Sequence, residues 1–230
     1  MASNKNNKIV PNRVFIGCPW KTIRPKYEKA AISLEKKYPI HFVLIGREHD
    51  QRAEELLGLI KARLLSSTSA IFDVTGGNPN VSLEYGIAEA SGLDRILYLN
   101  VHVANKPTNK DSAIIADLAG QKRKQWKNEK GLSQLLSEFA KHHNYTKRFE
   151  KALGKSSHGM NRHDKKTSRG IALKTIRYLD EKETVRRADL VEYLKGSGYL
   201  SSAIEHVLRS FHTEGLIHIS SGRYAEVAIS

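Results

Sequence analysis

The chain is short of the residues that mark secreted and membrane proteins. Its one cysteine, Cys18, leaves no internal disulfide framework and no multi-cysteine zinc site, a usage that suits a reducing compartment. No uninterrupted apolar run approaches the roughly 18 residues of a membrane span, and the opening Met1–Lys8 has no apolar signal segment. A cytoplasmic protein with no membrane partner is therefore expected. P-loop, His-Glu-x-x-His and G-x-G-x-x-G motifs are also missing, which argues against phosphoryl transfer, metalloprotease and dinucleotide-dehydrogenase chemistry.

What is present is an ordinary globular mixture, 40% hydrophobic and 27% charged over 230 residues, with room for one large domain or two small ones. Lys and Arg number 38 against 24 Asp and Glu, a net charge of +14 that makes polyanions plausible partners. The excess is +10 over residues 1–154 and +4 over 155–230, so no single tail holds it. The polar, aperiodic stretch Gly154–Arg169 reads as a linker, and its His158 and His163 lack further ligands at metal spacing. The expected organisation is an α/β domain over 1–150, a basic polar linker over 151–168 and a second small domain over 169–230.

In the first domain, short apolar runs alternate with helical patterns. Val14–Ile16, His41–Ile45, Ala70–Asp73 and Arg95–Leu99 read as buried strands. Between and after them lie helices marked by Tyr27, Ala30, Ala31 and Leu34, by Leu56, Leu57, Ile60 and Leu64, by a helix from about Val81 to Ser91, and by Leu132, Leu135, Leu136 and Phe139. The order predicts an open doubly wound parallel sheet that takes ligands outside the carboxyl ends of its strands. In the second domain three short helices, Ser168–Asp180, Arg187–Leu194 and one from an N-cap at Ser201 to Glu214, precede a hairpin turning at Ser221–Gly222.

The chemistry is concentrated in Ile71–Ala90, IFDVTGGNPNVSLEYGIAEA. Asp73 ends the third strand, Gly76, Gly77, Asn78, Pro79 and Asn80 form the turn, and Glu84 falls in the first turn of the next helix as read from the sequence. Glycines let a ligand approach the backbone, and open N-terminal amides with the helix dipole favour an ionised Glu84 and can hold a phosphate or sugar oxygen. A purely structural use stays open, with Asp73 and Asn78 as caps and Glu84 as an exposed helix acid. Trp20, after Cys18 and Pro19, can stack on a base or pack at the sheet edge. Cys18 has no neighbouring His to activate it. Arg47 and His49 follow the second strand, where they can meet a phosphate or belong to a solvated loop.

The stretch resembles the D-x-T-x-x-N-P-N-V-x-x-E-x-G-x-A pattern of nucleoside 2-deoxyribosyltransferase-like and TIR-like nucleotide-binding domains. Val14–Gly17 is similar to that family's opening strand, and Ala116–Arg123 to its D-L-x-G segment before the last strand and helix. The resemblance covers about residues 12–143 and implies a flavodoxin- or TIR-like sheet that cleaves or transfers the N-glycosidic bond of a nucleoside, nucleotide or NAD-type substrate, without a cofactor. It implies Glu84 as the catalytic glutamate and Asp73 beside it as a second catalytic carboxylate that would hold the turn or a ribose hydroxyl. Gly17, Trp20, Thr75, Gly76, Gly77, Asn78 and Asn80 would contact substrate. One departure is that Asn78 stands where deoxyribosyltransferases usually carry an aspartate, which favours hydrolysis, or binding without turnover, over transfer between deoxynucleosides.

The run YLSSAIEHVLRSFHTEGLIHISSGRYAEV resembles the third helix and wing of winged-helix domains. That likeness implies a nucleic-acid or protein partner, with Arg186, Arg187, Arg209 and Arg223 as candidate nucleic-acid contacts and Lys165, Lys166 and Arg169 as phosphate contacts from the linker. Stress and anti-phage systems use similar domains. A nucleotide-sensing DNA-binding regulator without catalysis is the competing expectation, and a homo-oligomer is compatible with either.

Overall fold

The computed structural model describes residues 8–21, 23–45, 53–104, 122–222 and 224–230. The segment 105–121, with most of the D-L-x-G likeness, lies outside the described residues, as do Arg47, His49 and Arg223. The chain divides into two compact units, one of Met1–Glu35 with Ile40–Phe139, the other of Lys36–Pro39 with Ala140–Ser230.

The first unit is the expected α/β fold. Strands β1 (Arg13–Gly17), β2 (His41–Val43), β3 (Ser69–Asp73), β4 (Asp94–Asn100) and β5 (Arg123–Trp126) form one parallel sheet in the order β2-β1-β3-β4-β5. The helices are α1 (Arg24–Glu35), α2 (Ala53–Leu65), α3 (Pro79–Ala90), the short α4 (Val101–Ala104) and α5 (Glu129–His142). β1 and β3 are buried along their whole length, as strands covered on both faces must be, so their inner residues Val14–Ile16 and Ala70–Phe72 read as apolar runs. Phe15, Val43, Phe72, Val81, Tyr85 and Ala88 belong to one core between sheet and helices. β5, RKQW, pairs with β4 at the sheet edge, and its exposed Lys124 and Gln125 hid it from a search for apolar runs.

The second unit corrects the linker expectation. Residues 154–169 belong mostly to two helices, α6 (Asn144–Ser156) and α7 (Arg162–Lys182), joined by a short turn. Asn161 caps α7 by accepting from Asp164 N at 2.9 Å. Asn161 and the first residues of α7, 162–166, are all exposed, so they carry no apolar period, and a fully solvated helical turn looks like a linker in sequence. Then follow β6 (Thr184–Arg186), α8 (Arg187–Gly196), α9 (Ser201–Thr213), β7 (Ile217–Ile219) and β8 (Glu226–Ile229). The three strands form an antiparallel sheet in the order β6-β8-β7. α9 buries Ile204, Val207, Leu208 and Phe211, the stripe expected from its spacing. Its N-cap is Leu200, without a side-chain bond, where Ser201 was expected; Ser201 is already the first helical residue.

Among the described residues no helix is long and apolar enough to cross a membrane.

Candidate functional site

The sequence stretch from Asp73 to Glu84 folds as strand end, turn and helix, and each residue type has a visible local job. Asp73 closes β3 with no solvent exposure. Tyr27 Oη and Trp126 Nε1 donate to its Oδ2 at 2.8 and 2.9 Å, and Thr75 N donates to its Oδ1 at 3.0 Å. Burial raises the Asp73 carboxyl pKa, and hydrogen bonds from Thr75, Tyr27 and Trp126 pull it back down. Asp73 therefore ties β3 to α1, to β5 and to its own turn. Expected as a second catalytic carboxylate, it is instead a positioning residue whose oxygens are engaged within the fold.

Thr75 continues that network, since its Oγ1 accepts from Asn100 N at 2.8 Å and so links the turn to the end of β4. Gly76 and Gly77 follow with φ of 77° and 58°, left-handed backbone that a side chain would strain. Asn78 then caps α3, its Oδ1 accepting from Asn80 N at 2.9 Å and Val81 N at 3.4 Å. Pro79, at the first helical position, has no amide to offer. The amides expected to hold a phosphate are thus already occupied or absent, and the Oδ1 of Asn78 serves the helix.

Because α3 begins at Pro79 and not near Val81, Glu84 falls in its second turn, beyond the reach of the terminal dipole. It lies on the inward stripe Val81, Glu84, Tyr85 and Ala88, at 7% exposure. Burial alone pushes its carboxyl up to about 8, so the expectation of an ionised carboxylate is corrected: at neutral pH Glu84 is held mostly in its protonated form. Gly17 makes this placement possible. A Cβ at Gly17 would sit 2.5 Å from Glu84 Oε2 and 2.6 Å from the Phe72 ring. The glycine expected to admit a ligand thus admits the catalytic candidate's own carboxyl.

Glu84 opens into a cleft of about 240 Å³ between α2 and α3. Trp20, Asn80 and Glu84, three of the residues expected from sequence, meet there. The walls are Ile45, Leu56, Leu57, Ile60, Leu83 and Ile87, which the sequence reading assigned only to strands and helices. Leu57 and Leu83 stand out by being 40% and 54% exposed, apolar side chains at a helix surface that face no core. Trp20, 48% exposed, has the Arg24 guanidinium 4.3 Å from its ring centroid, and Glu28 holds that guanidinium through Arg24 Nε at 2.8 Å. One face of the indole is therefore supported. Cys18 is buried, and burial first, then the nearby Asp73 and Glu84, raise its thiol pKa well above the ordinary value. A protonated thiol here is packing material and no nucleophile.

The arrangement suits a ligand with a flat ring and a carbon that becomes positive. The indole offers a stacking face, the aliphatic walls exclude water, and Glu84 supplies negative charge when a cation appears beside it. Among the described residues no group of three or more His, Cys, Asp or Glu side chains is placed to hold a metal.

In the second unit the candidate nucleic-acid contacts are divided. Arg187 pairs with Glu205 of α9, and Arg186 lies 5.7 Å over the Tyr224 ring. Arg209 is exposed on α9. Arg169 pairs with Glu150 at 2.8 Å.

No family model matches the chain, and no curated protein does so either. Among solved structures, a CMP N-glycosidase from Clostridium botulinum, BcmB, is similar at 18% identity with a TM-score of 0.40, over 55% of this chain and 98% of that one.

Proposed function

We propose that the first unit is a hydrolase of N-glycosidic bonds acting on a nucleoside, nucleotide or NAD-type substrate, with Glu84 as the reacting carboxylate. The observation that carries this reading is Glu84 itself, a buried carboxyl set on the core stripe of a helix yet opening into a cleft with an aromatic rim. A carboxyl on such a stripe costs stability, because desolvation has nothing charged to offset it among the described residues, and a cost of that kind is characteristic of functional sites.

The base stacks on Trp20, and the sugar faces Glu84. As the C1′–N bond breaks, its electron pair leaves with the base and positive charge grows on C1′. Glu84, having given its proton to solvent, meets that charge as carboxylate, either covalently or as an ion pair, and water then takes the sugar. A cationic base departs without protonation, whereas a neutral base needs a proton that Asn78 does not supply. A positively charged leaving group therefore fits best.

Glu84 must be ionised to act, so kcat/KM rises with pH and levels off above about 8, the value set by burial in the free protein. In the second unit, α7, α8 and α9 with the β7–β8 hairpin follow the order of a winged helix, which supports a recognition role for that unit.

The test is chromatography of NAD and a panel of nucleosides and nucleotides after incubation with the protein, with and without DNA or RNA, beside Glu84→Gln. A free base released by the wild type and absent with the variant is the expected result. No release under any of these conditions removes catalysis and leaves a ligand sensor.

A further inference from the structure

The positive charge of the second unit is not where a winged helix would use it. Residues 144–177, which span α6 and most of α7, hold ten Lys and Arg against two acidic residues, a net of +8. Residues 184–230, with α8, α9 and the hairpin, hold five against five, a net of zero, and the last turn of α7, 178–183, holds one against three. The helices that would approach a groove also spend their charges on each other. Arg187 is held by Glu205 and Lys195 by Glu192, while Asp189 stands exposed at the start of α8.

On α6 and α7 the pattern is the reverse. Lys147 and Lys151 lie one turn apart on the exposed side of α6. Arg162, Lys165 and Lys166, at i, i+3 and i+4, form one exposed ridge at the start of α7. None of these five is in an ion pair among the described residues. The acidic Glu150 between the helices is taken by Arg169, which joins α6 to α7. Lys155 is held by Glu214, so it adds little to the ridge.

We propose that this α6–α7 face, and not the exposed side of α9, binds the phosphodiester backbone of nucleic acid without reading its sequence. Five unpaired cations on two packed helices release counterions from a dense row of phosphates, which is the main source of such affinity. A neutral α8–α9–hairpin region gives phosphates no comparable attraction. The inference rests on the surface of the second unit alone and is independent of the glycosidase reading.

The test is fluorescence anisotropy of the full-length protein with a random-sequence 20-mer, as duplex and as single strand, across a series of NaCl concentrations. Two variants accompany the wild type: K147Q/K151Q/K165Q/K166Q, whose exposed positions leave the fold intact by circular dichroism, and R186Q/R209Q. Each lost phosphate contact lowers the slope of log K against log salt by about 0.9 for duplex DNA, so the quadruple variant loses about 3 to 4 from that slope. R186Q/R209Q keeps the wild-type slope. The two arms tell whether duplex or single strand supplies the backbone. Absence of binding to either, loss confined to R186Q/R209Q, or equal binding to polyglutamate or anionic vesicles overturns the proposal. Base release by the first unit is read separately, so failure of one reading leaves the other standing.

Discussion

Replacing Glu84 by Gln changes how stability depends on pH. In the unfolded chain this carboxyl ionises near 4.5, while in the fold burial holds its proton until about 8. Between those values the folded state binds one more proton than the unfolded state, so wild-type stability falls as pH rises through the window and the loss stops above about 8. Each pH unit in the window is worth about 1.4 kcal/mol, which gives at most about 5 kcal/mol across it and about 3 kcal/mol between pH 5.5 and 8. Gln fills the same space without the charge and removes that slope, at the cost of one buried amide of about 1–3 kcal/mol if nothing accepts from it. The variant is thus equal to the wild type or weaker at pH 5.5 and gains on it steadily toward pH 8.5. Both tryptophans, Trp20 and Trp126, lie in the first unit, so urea titration followed by their fluorescence reads that unit alone. A difference between wild type and variant that stays constant from pH 5.5 to 8.5 would falsify the burial of Glu84 in its protonated form.

Four other outcomes follow from the geometry. Gly17→Ala drives a methyl into Glu84 and Phe72; it lowers stability by about 1–3 kcal/mol in urea titration and reduces base release by displacing the Glu84 carboxyl. Asp73→Asn turns an amide toward Tyr27 and Trp126, and the resulting loss of about 1–3 kcal/mol comes with a shift in Trp126 emission. Trp20→Ala leaves stability unchanged because the ring is half exposed, and weakens ligand binding by about 1–3 kcal/mol in calorimetry, the worth of one stacked base. Glu183, at the C-cap of α7 with φ 61°, strains a non-glycine backbone, so Glu183→Gly raises stability by about 1 kcal/mol in thermal unfolding of the second unit.

Much of the sheet was legible because parallel strands covered on both faces must be apolar throughout, as Val14–Ile16 and Ala70–Phe72 are. β5 was not, since an edge strand can carry Lys and Gln outward and leaves only Trp126 as a core residue. The Asp73–Glu84 stretch drew attention to the right part of the fold, yet its roles separated on a single helix boundary. Pro79 at the first helical position was the available cue, and it moves Glu84 from the dipole's reach onto the buried stripe. The cleft walls had no cue beyond surplus apolar residues such as Leu57 and Leu83, because a concave surface is formed by elements distant in sequence. The stretch 154–169 reads as a linker for a different reason. Its buried residues Ser156, Ser157 and Ser168 are polar and the turn at 162–166 is wholly exposed, so no apolar period reveals the helices.

The order of the parallel sheet leaves β2 and β5 as its two edges, and both are poor templates for aggregation. β2 has three residues, too few to recruit a further strand with much energy, and β5 sets Lys124 and Gln125 along its outer stretch. A lysine in an incoming strand's path must be desolvated or repelled by its copy before any backbone bond forms. Lys124 and Gln125 thus guard this edge while contributing nothing to the core, and Lys124→Val would create a more apolar strand edge prone to fibre growth.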